Sequence, residues 1–273
     1  MDMRKPSWVT EGIDLERPNP ARIYDYLLGG HHNFAADRAA AQKILETLPH
    51  AAEASLAQRA FLRRSIDMCT AEGIDQFLDI GSGLPTAGNV HDLARATIPD
   101  ARVVYVDVDP VVIAHSSELL KDDPLASIIE ADVRQPPAIL QHEGVDRLLD
   151  FSQPMGLTMT SLLHFVLDLD VAYRACDTLV DALAPGSYLV ISHGLLTDEE
   201  GREAVEKAAD DYKAAANVRP RGREAIARFF DGLELVEPGL VRGPLWRPEG
   251  PDDLLLDNPQ EYKAQIGRAS CRE

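Results

Sequence analysis

From residue 74 onward the chain alternates short apolar runs of β type with helical stretches, and this limits the fold more than any other feature. The runs are QFLDI (76–80), RVVYVD (102–107), SIIEA (127–131), DRLLDF (146–151), GSYLVISH (186–193) and a weaker LELVEP (233–238). Helical spacing fills the intervals near 90–97, 110–120, 136–142, 161–183, 198–216 and 223–230. Strands joined through helices run parallel and need cover on both faces, so the expected fold is a doubly wound α/β sheet. Residues 19 to 73 read as helix alone: Ile23, Tyr26 and Leu27 share one face, Leu56, Ala60, Leu62 and Ile66 another, and Gly73 stops the run.

A doubly wound sheet binds ligands beyond the carboxyl ends of its strands, so the strand ends hold the candidates. The first run ends Asp79-Ile80-Gly81-Ser82-Gly83-Leu84-Pro85-Thr86. Glycines there allow a sharp turn and a close approach by a ligand. A dinucleotide fingerprint needs Gly or Ala where Thr86 stands, which disfavours a nicotinamide oxidoreductase. The second run ends in Asp107, placed to accept from ribose hydroxyls. Asp109 before Pro110 reads as a helix N-cap. Asp132, after the third run, either accepts from the exocyclic amine of a base or caps the next helix. Together the three ends suggest a nucleoside-bearing ligand without a pyrophosphate.

The succession FLDIGSG, VVYVDVDP, ADVRQP and LLHFV resembles motifs I to IV of class I S-adenosylmethionine-dependent methyltransferases. More narrowly, PARIYDYLLGGHHNFAADR, RAFLRR, QFLDIGSGLPT, NVHDLA, LAPGSYLVISH and PLWRP resemble the S-adenosyl methyltransferase family once classed as a domain of unknown function. The resemblance spans about residues 18 to 248. It implies a Rossmann-like class I sheet over 74–265, an N-terminal helical cover over 1–73, and S-adenosyl-L-methionine as cofactor, with S-adenosyl-L-homocysteine as product. It further implies that Gly81 and Gly83 lie under the methionine part, that Asp79 supports the loop and the ligand amino group, that Asp107 holds the ribose, and that Asp132 and Val133 face the adenine. Tyr24 and Asn33 belong to the stretch resembling the cover; they either touch the cofactor or sit on a helix packed on the sheet.

Methyl transfer needs an aligned acceptor, and a base only where the acceptor is protonated. The base candidates are Asp150, Ser152, Gln153 and especially His164 in LLHFV, although a histidine in an apolar stretch is also a common core residue. His193 carries the same ambiguity, while His31 and His32, after Gly29-Gly30, either reach the mouth of the pocket or lie in a solvated loop. No metal-ligand spacing stands out. The 45 acidic against 27 basic side chains give a net charge of −18, which repels a nucleic-acid backbone and leaves a small molecule as the expected acceptor. A non-catalytic module that binds the nucleoside and acts through a partner protein is the alternative. No long apolar run and no signal peptide are seen, and Cys69, Cys176 and Cys271 form no ligand or disulfide spacing, so a cytoplasmic protein without membrane segments is expected.

The last eight residues, IGRASCRE (266–273), coincide with one reading frame of a widely used short-read sequencing adapter. They are expected to be a non-native tail. On the family pattern a last strand inserts beside the fifth near this position, so the expected sheet lacks that strand and exposes an edge.

Overall fold

The computed structural model describes residues 14–85, 88–196, 199–250, 254–262 and 264–271. Thr86 and Asp198 lie outside the described residues. Three helices come first, α1 (Pro20–Leu27), α2 (Ala35–Thr47) and α3 (Ala51–Ala71). The Asn19 side chain accepts the Arg22 N–H at 3.1 Å, and Pro20 fills a first-turn position where no N–H is needed. The buried Asp37 carboxylate accepts from the N–H groups of Asn19 (2.9 Å) and Phe34 (2.7 Å) and from Arg22 Nε (2.8 Å). One carboxylate thus ties α1 to the start of α2 and offsets the cost of burying the guanidinium. Helix α3 stops at Gly73, which adopts φ +84°.

The rest alternates strand and helix: β1 (Gln76–Ile80), α4 (Val90–Arg95), β2 (Arg102–Asp107), α5 (Pro110–Leu120), β3 (Ala126–Glu130), α6 (Pro136–Leu140), α7 (Glu143–Asp146), β4 (Gly156–Thr160), α8 (Leu169–Asp181), β5 (Tyr188–Gly194), α9 (Glu199–Tyr212), α10 (Arg223–Ala227), β6 (Glu234–Leu235), β7 (Val241–Arg242) and β8 (Ala264–Ser270). The eight strands form one sheet in the order β3-β2-β1-β4-β5-β8-β6, with β7 also on β8. Strands β1 to β5 pair in parallel, and β8 runs antiparallel to its neighbours. Successive side chains face opposite ways: Leu78, Ile80, Val104 and Val106 pack with Ile139, Val145 and Leu179, while Phe77, Val103 and Tyr105 pack with Leu62, Ile66, Val90 and Ala94. Each face is covered by helices, as the sequence pattern predicts. Among the described residues no helix is long and apolar enough to cross a membrane.

Two expectations are corrected. The run DRLLDF is not the fourth strand; its Leu148 and Leu149 are buried in a turn after α7, and β4 is GLTMT, opening on Gly156. A Cβ on Gly156 would lie 2.5 Å from Phe77 Cδ1, so the glycine that weakens the strand signal makes room for a core ring. Asp150, Ser152 and Gln153 consequently sit before β4, at the amino end of the sheet. The Gln76 amide pins them there, donating to Asp150 O (2.8 Å) and accepting from Asp150 N (2.9 Å), so they cannot act as bases at the carboxyl ends.

Nor is the sheet cut short. Residues 266–270, from the segment expected to be non-native, complete β8 between β5 and β6, with Ile266 and Ala269 buried and Gly267 under the Phe230 ring. The backbone ladder of β5 finds a partner along its whole length because any chain free of proline can supply N–H and C=O groups there.

Candidate functional site

The strand ends assemble as one ledge. The β1 tip turns at Gly81 (φ +74°), whose N–H donates to Val106 O at 2.8 Å, and the Gly83 N–H donates to Asp107 Oδ2 at 2.9 Å. The loop after β1 is thereby latched to the end of β2. A Cβ at Gly81 would lie 2.7 Å from Leu162 Cδ1, whereas one at Gly83 would meet open space. Asp107 Oδ1 also accepts from the N–H groups of Val108 (2.8 Å) and Asp109 (3.0 Å), so roughly one lone-pair site stays open for a ligand hydroxyl. Burial raises its pKa, opposed by those three N–H donors. Asp109 caps α5, accepting from Val111 N at 2.8 Å, as expected.

Asp79, buried at 6% exposure, accepts from the Thr158 hydroxyl of β4. Burial pushes its carboxyl up to about 6, with Thr158 and the Arg59 guanidinium pulling the other way. A cavity of about 330 Å³, open solvent at its mouth included, lies over it, walled by Arg59, Ser82, Gly83 and Tyr105. Ser82 Oγ is buried on that wall without a hydrogen-bond partner. A half-buried cation, a buried carboxyl and an unpaired hydroxyl around one space suit a zwitterionic ligand end. Arg59 and Ser82 carried no role in the sequence reading: Arg59 lies within the RAFLRR motif, but only tertiary packing turns it toward β1.

A second cleft, of about 650 Å³ including its mouth, lies between α1, α3 and the tip of β4. Tyr24, Ser55, Gln58, Ser161 and Tyr262 line it with Leu27, Leu48, Ala51 and Ala54. The Tyr24 hydroxyl donates to Ser55 O at 3.2 Å, and burial raises its pKa to about 12. Tyr24 therefore faces this cleft. Asn33 is buried and engaged, donating to Asp25 Oδ2 (2.8 Å) and Gly30 O (2.9 Å) and accepting from Arg38 (3.1 Å).

Asp132 stands at the next strand tip, held by Arg134 through backbone and guanidinium, which lowers its pKa. The Val133 side chain turns into the core. His164 sits in a tight helical turn, Leu163–Phe165, its ring edge-on to His193 at 5.5 Å and its Nδ1 taking a long 3.4 Å contact from Gly194 N. Desolvation, then the Arg221 charge, lowers its pKa to about 4. It lines neither cavity. His193 is buried and accepts from Arg221 at 2.7 Å, and Arg221 also donates to the carbonyls of Leu163 and Val166. The two histidines and Arg221 thus brace the loop after β4. His32 packs edge-on against His115, and no metal cluster occurs among the described residues.

The family profile described as S-adenosyl methyltransferase matches residues 6–270. The chain belongs to the S-adenosyl methyltransferase family. As a member it is an enzyme that takes its methyl group from S-adenosylmethionine. This S-adenosyl methyltransferase is similar to a candidate methyltransferase from Thermobifida fusca, with 41% identity, a TM-score of 0.90, and 98% of this chain and 100% of that one covered. It is similar also to a DUF574 family protein from Streptomyces avermitilis, with 35% identity, a TM-score of 0.87, and 94% and 99% covered. An O-methyltransferase family protein from Burkholderia thailandensis shares the fold at 10% identity and a TM-score of 0.53, with 82% and 60% covered. No curated protein matches the chain. The orphaned Ser82 hydroxyl and the open space over Gly83 fit the amino-acid end of S-adenosylmethionine.

Proposed function

We propose that this S-adenosyl methyltransferase methylates a small molecule held in the cleft beside α3, with the cofactor lying across the tips of β1, β2 and β3. The observation that carries the reading is the cavity over β1, where Asp79, Arg59 and the unpaired Ser82 hydroxyl meet. When bound, the cofactor supplies a methyl group on a sulfonium, an electrophile that a positioned lone pair attacks in line. Asp79 would hold the ammonium group, Arg59 the carboxylate, and Gly81 and Gly83 would let the backbone approach. Asp107 would offer its remaining lone pair to the ribose, and Asp132 would exchange Arg134 for the adenine amine, with Val133 beneath. Tyr24 would border the acceptor, and Asn33 would hold the Gly30 turn at its rim.

With its pKa near 4, the His164 imidazole is a weak proton acceptor at neutral pH, so positioning and exclusion of water supply most of the acceleration. The second cleft favours turnover over a module that only binds the nucleoside. The net charge of −18 supports an acceptor other than nucleic acid, and the buried thiols of Cys69 and Cys176 fit a cytoplasmic setting. Calorimetric titration with S-adenosylmethionine, S-adenosylhomocysteine and NAD tests the cofactor assignment. Binding of the first two is expected, and tight binding of NAD alone overturns it. Methyl transfer to a panel of small molecules then tests the acceptor class.

A further inference from the structure

We propose that the cleft beside α3 selects an uncharged, largely apolar acceptor carrying a carbonyl-type oxygen, and that the Gln58 amide N–H reads that oxygen. This deepens the reading above and rests on it. Gln58 lines the cleft at 6% exposure, and its Oε1 accepts from the Tyr262 hydroxyl at 2.5 Å. In this orientation the oxygen end of the amide is spent on Tyr262. Nε2, the donor end, is buried with no hydrogen-bond partner. A donor withheld from water and from protein costs free energy unless a ligand meets it, and what meets an N–H is an oxygen or nitrogen lone pair.

The remaining walls narrow the class. Leu27, Leu48, Ala51 and Ala54 give an apolar side suited to a ring or aliphatic body. Among the described residues no lysine, arginine or aspartate lines the cleft; its ionisable lining residues are Glu261 and His50, and His50 is already engaged by the Glu53 carboxylate at 2.6 Å, so the lining favours an uncharged acceptor over an anionic one. At the far end Ser161, closing β4, holds φ +53°, a left-handed conformation uncommon for a residue with a side chain. Its N–H is secured by Ser192 Oγ at 2.8 Å. Backbone strain maintained in this way concentrates at ligand sites, and here it falls on the strand tip that separates the cleft from Gly81. Gln58 and Arg59 are consecutive on α3 and line one cavity each, so the same helix borders both spaces.

The test uses the full chain saturated with S-adenosylhomocysteine and three probes of similar shape: methyl naphthyl ketone, ethylnaphthalene and naphthoate, titrated by ligand-observed NMR. The ketone is expected to bind roughly tenfold tighter than the hydrocarbon, the value of one neutral hydrogen bond, with naphthoate weakest. Gln58→Met, which keeps the shape and removes the donor, is expected to abolish the ketone preference and leave S-adenosylhomocysteine affinity unchanged. Leu48→Trp, at a half-buried wall position, is expected to exclude all three probes. Equal binding of ketone and hydrocarbon, an unchanged preference in Gln58→Met, undiminished binding in Leu48→Trp, or no binding of any probe overturns the proposal. Failure of S-adenosylhomocysteine to bind the parent protein strikes the cofactor assignment instead.

Discussion

Asp79 makes the cofactor site sensitive to pH. Its carboxyl titrates at about 6 in the folded chain because burial opposes the charge, against about 4 when unfolded. A group with a raised folded pKa takes up a proton on folding, so its contribution falls as pH rises from about 4 to about 6 and stays unfavourable above. Asp79→Asn is therefore expected to gain stability relative to the parent at pH 7, by up to about 3 kcal/mol, and to gain none at pH 4. Calorimetric melts at the two pH values check this, and an equal effect at both counts against it. Asp107→Ala is expected to weaken S-adenosylhomocysteine binding by about 1–3 kcal/mol and also to lower Tm, because the same carboxylate latches Gly83. Calorimetric titration and melting separate the two effects. Gly81→Ala is expected to cost more than Gly83→Ala in urea unfolding. Both lose a left-handed glycine worth about 1–2 kcal/mol, but only the first drives a methyl into Leu162. The placement of Asp79 and Asp107 at strand ends was legible in sequence because a strand end is a local pattern. Gln58 and Arg59 were not, since the direction of a helical side chain acquires meaning only when the helix docks.

At the scale of elements, the legible parts were those whose signal is their own. β1, β2 and β5 read correctly because each is a dense apolar run buried on both faces, and β3, half-exposed at the sheet edge, because its run is still apolar and bounded by turns. β4 hid behind Gly156, whose purpose lies in the Phe77 ring of a different strand. β8 hid because a strand received antiparallel at the side of β5 needs little more than backbone and two buried small or branched side chains. Deleting residues 266–273 is expected to leave β5, β6 and β7 without a shared partner and to produce concentration-dependent aggregation with a lowered Tm. Light scattering during a thermal ramp measures it, and a truncated chain that melts like the parent argues against a structural role for β8. Between α1 and α2, Asp37→Ala is expected to cost about 3–5 kcal/mol, since it strands the buried Arg22 and frees two N–H donors. Urea unfolding followed by circular dichroism reports the loss.

For the whole molecule, a net charge of −18 spreads a repulsive field toward any polyanion. Mobility-shift titration with duplex DNA at low salt is expected to show no complex, and a complex dissolved by added salt would point to a basic surface that the net charge conceals. The helices α1, α2 and α3 do more than roof the sheet. α3 joins the core through Leu62 and Ile66, and α2 leans on α9 through Ile44 and Tyr212. Because adjacent residues of α3 border both cavities, a displacement of that helix would be felt by both proposed ligands at once. Thermodynamic reciprocity then applies: if cofactor binding steadies Gln58 and raises acceptor affinity by some factor, the acceptor must raise cofactor affinity by the same factor. One turn of helix would then set the order in which the two ligands arrive and leave.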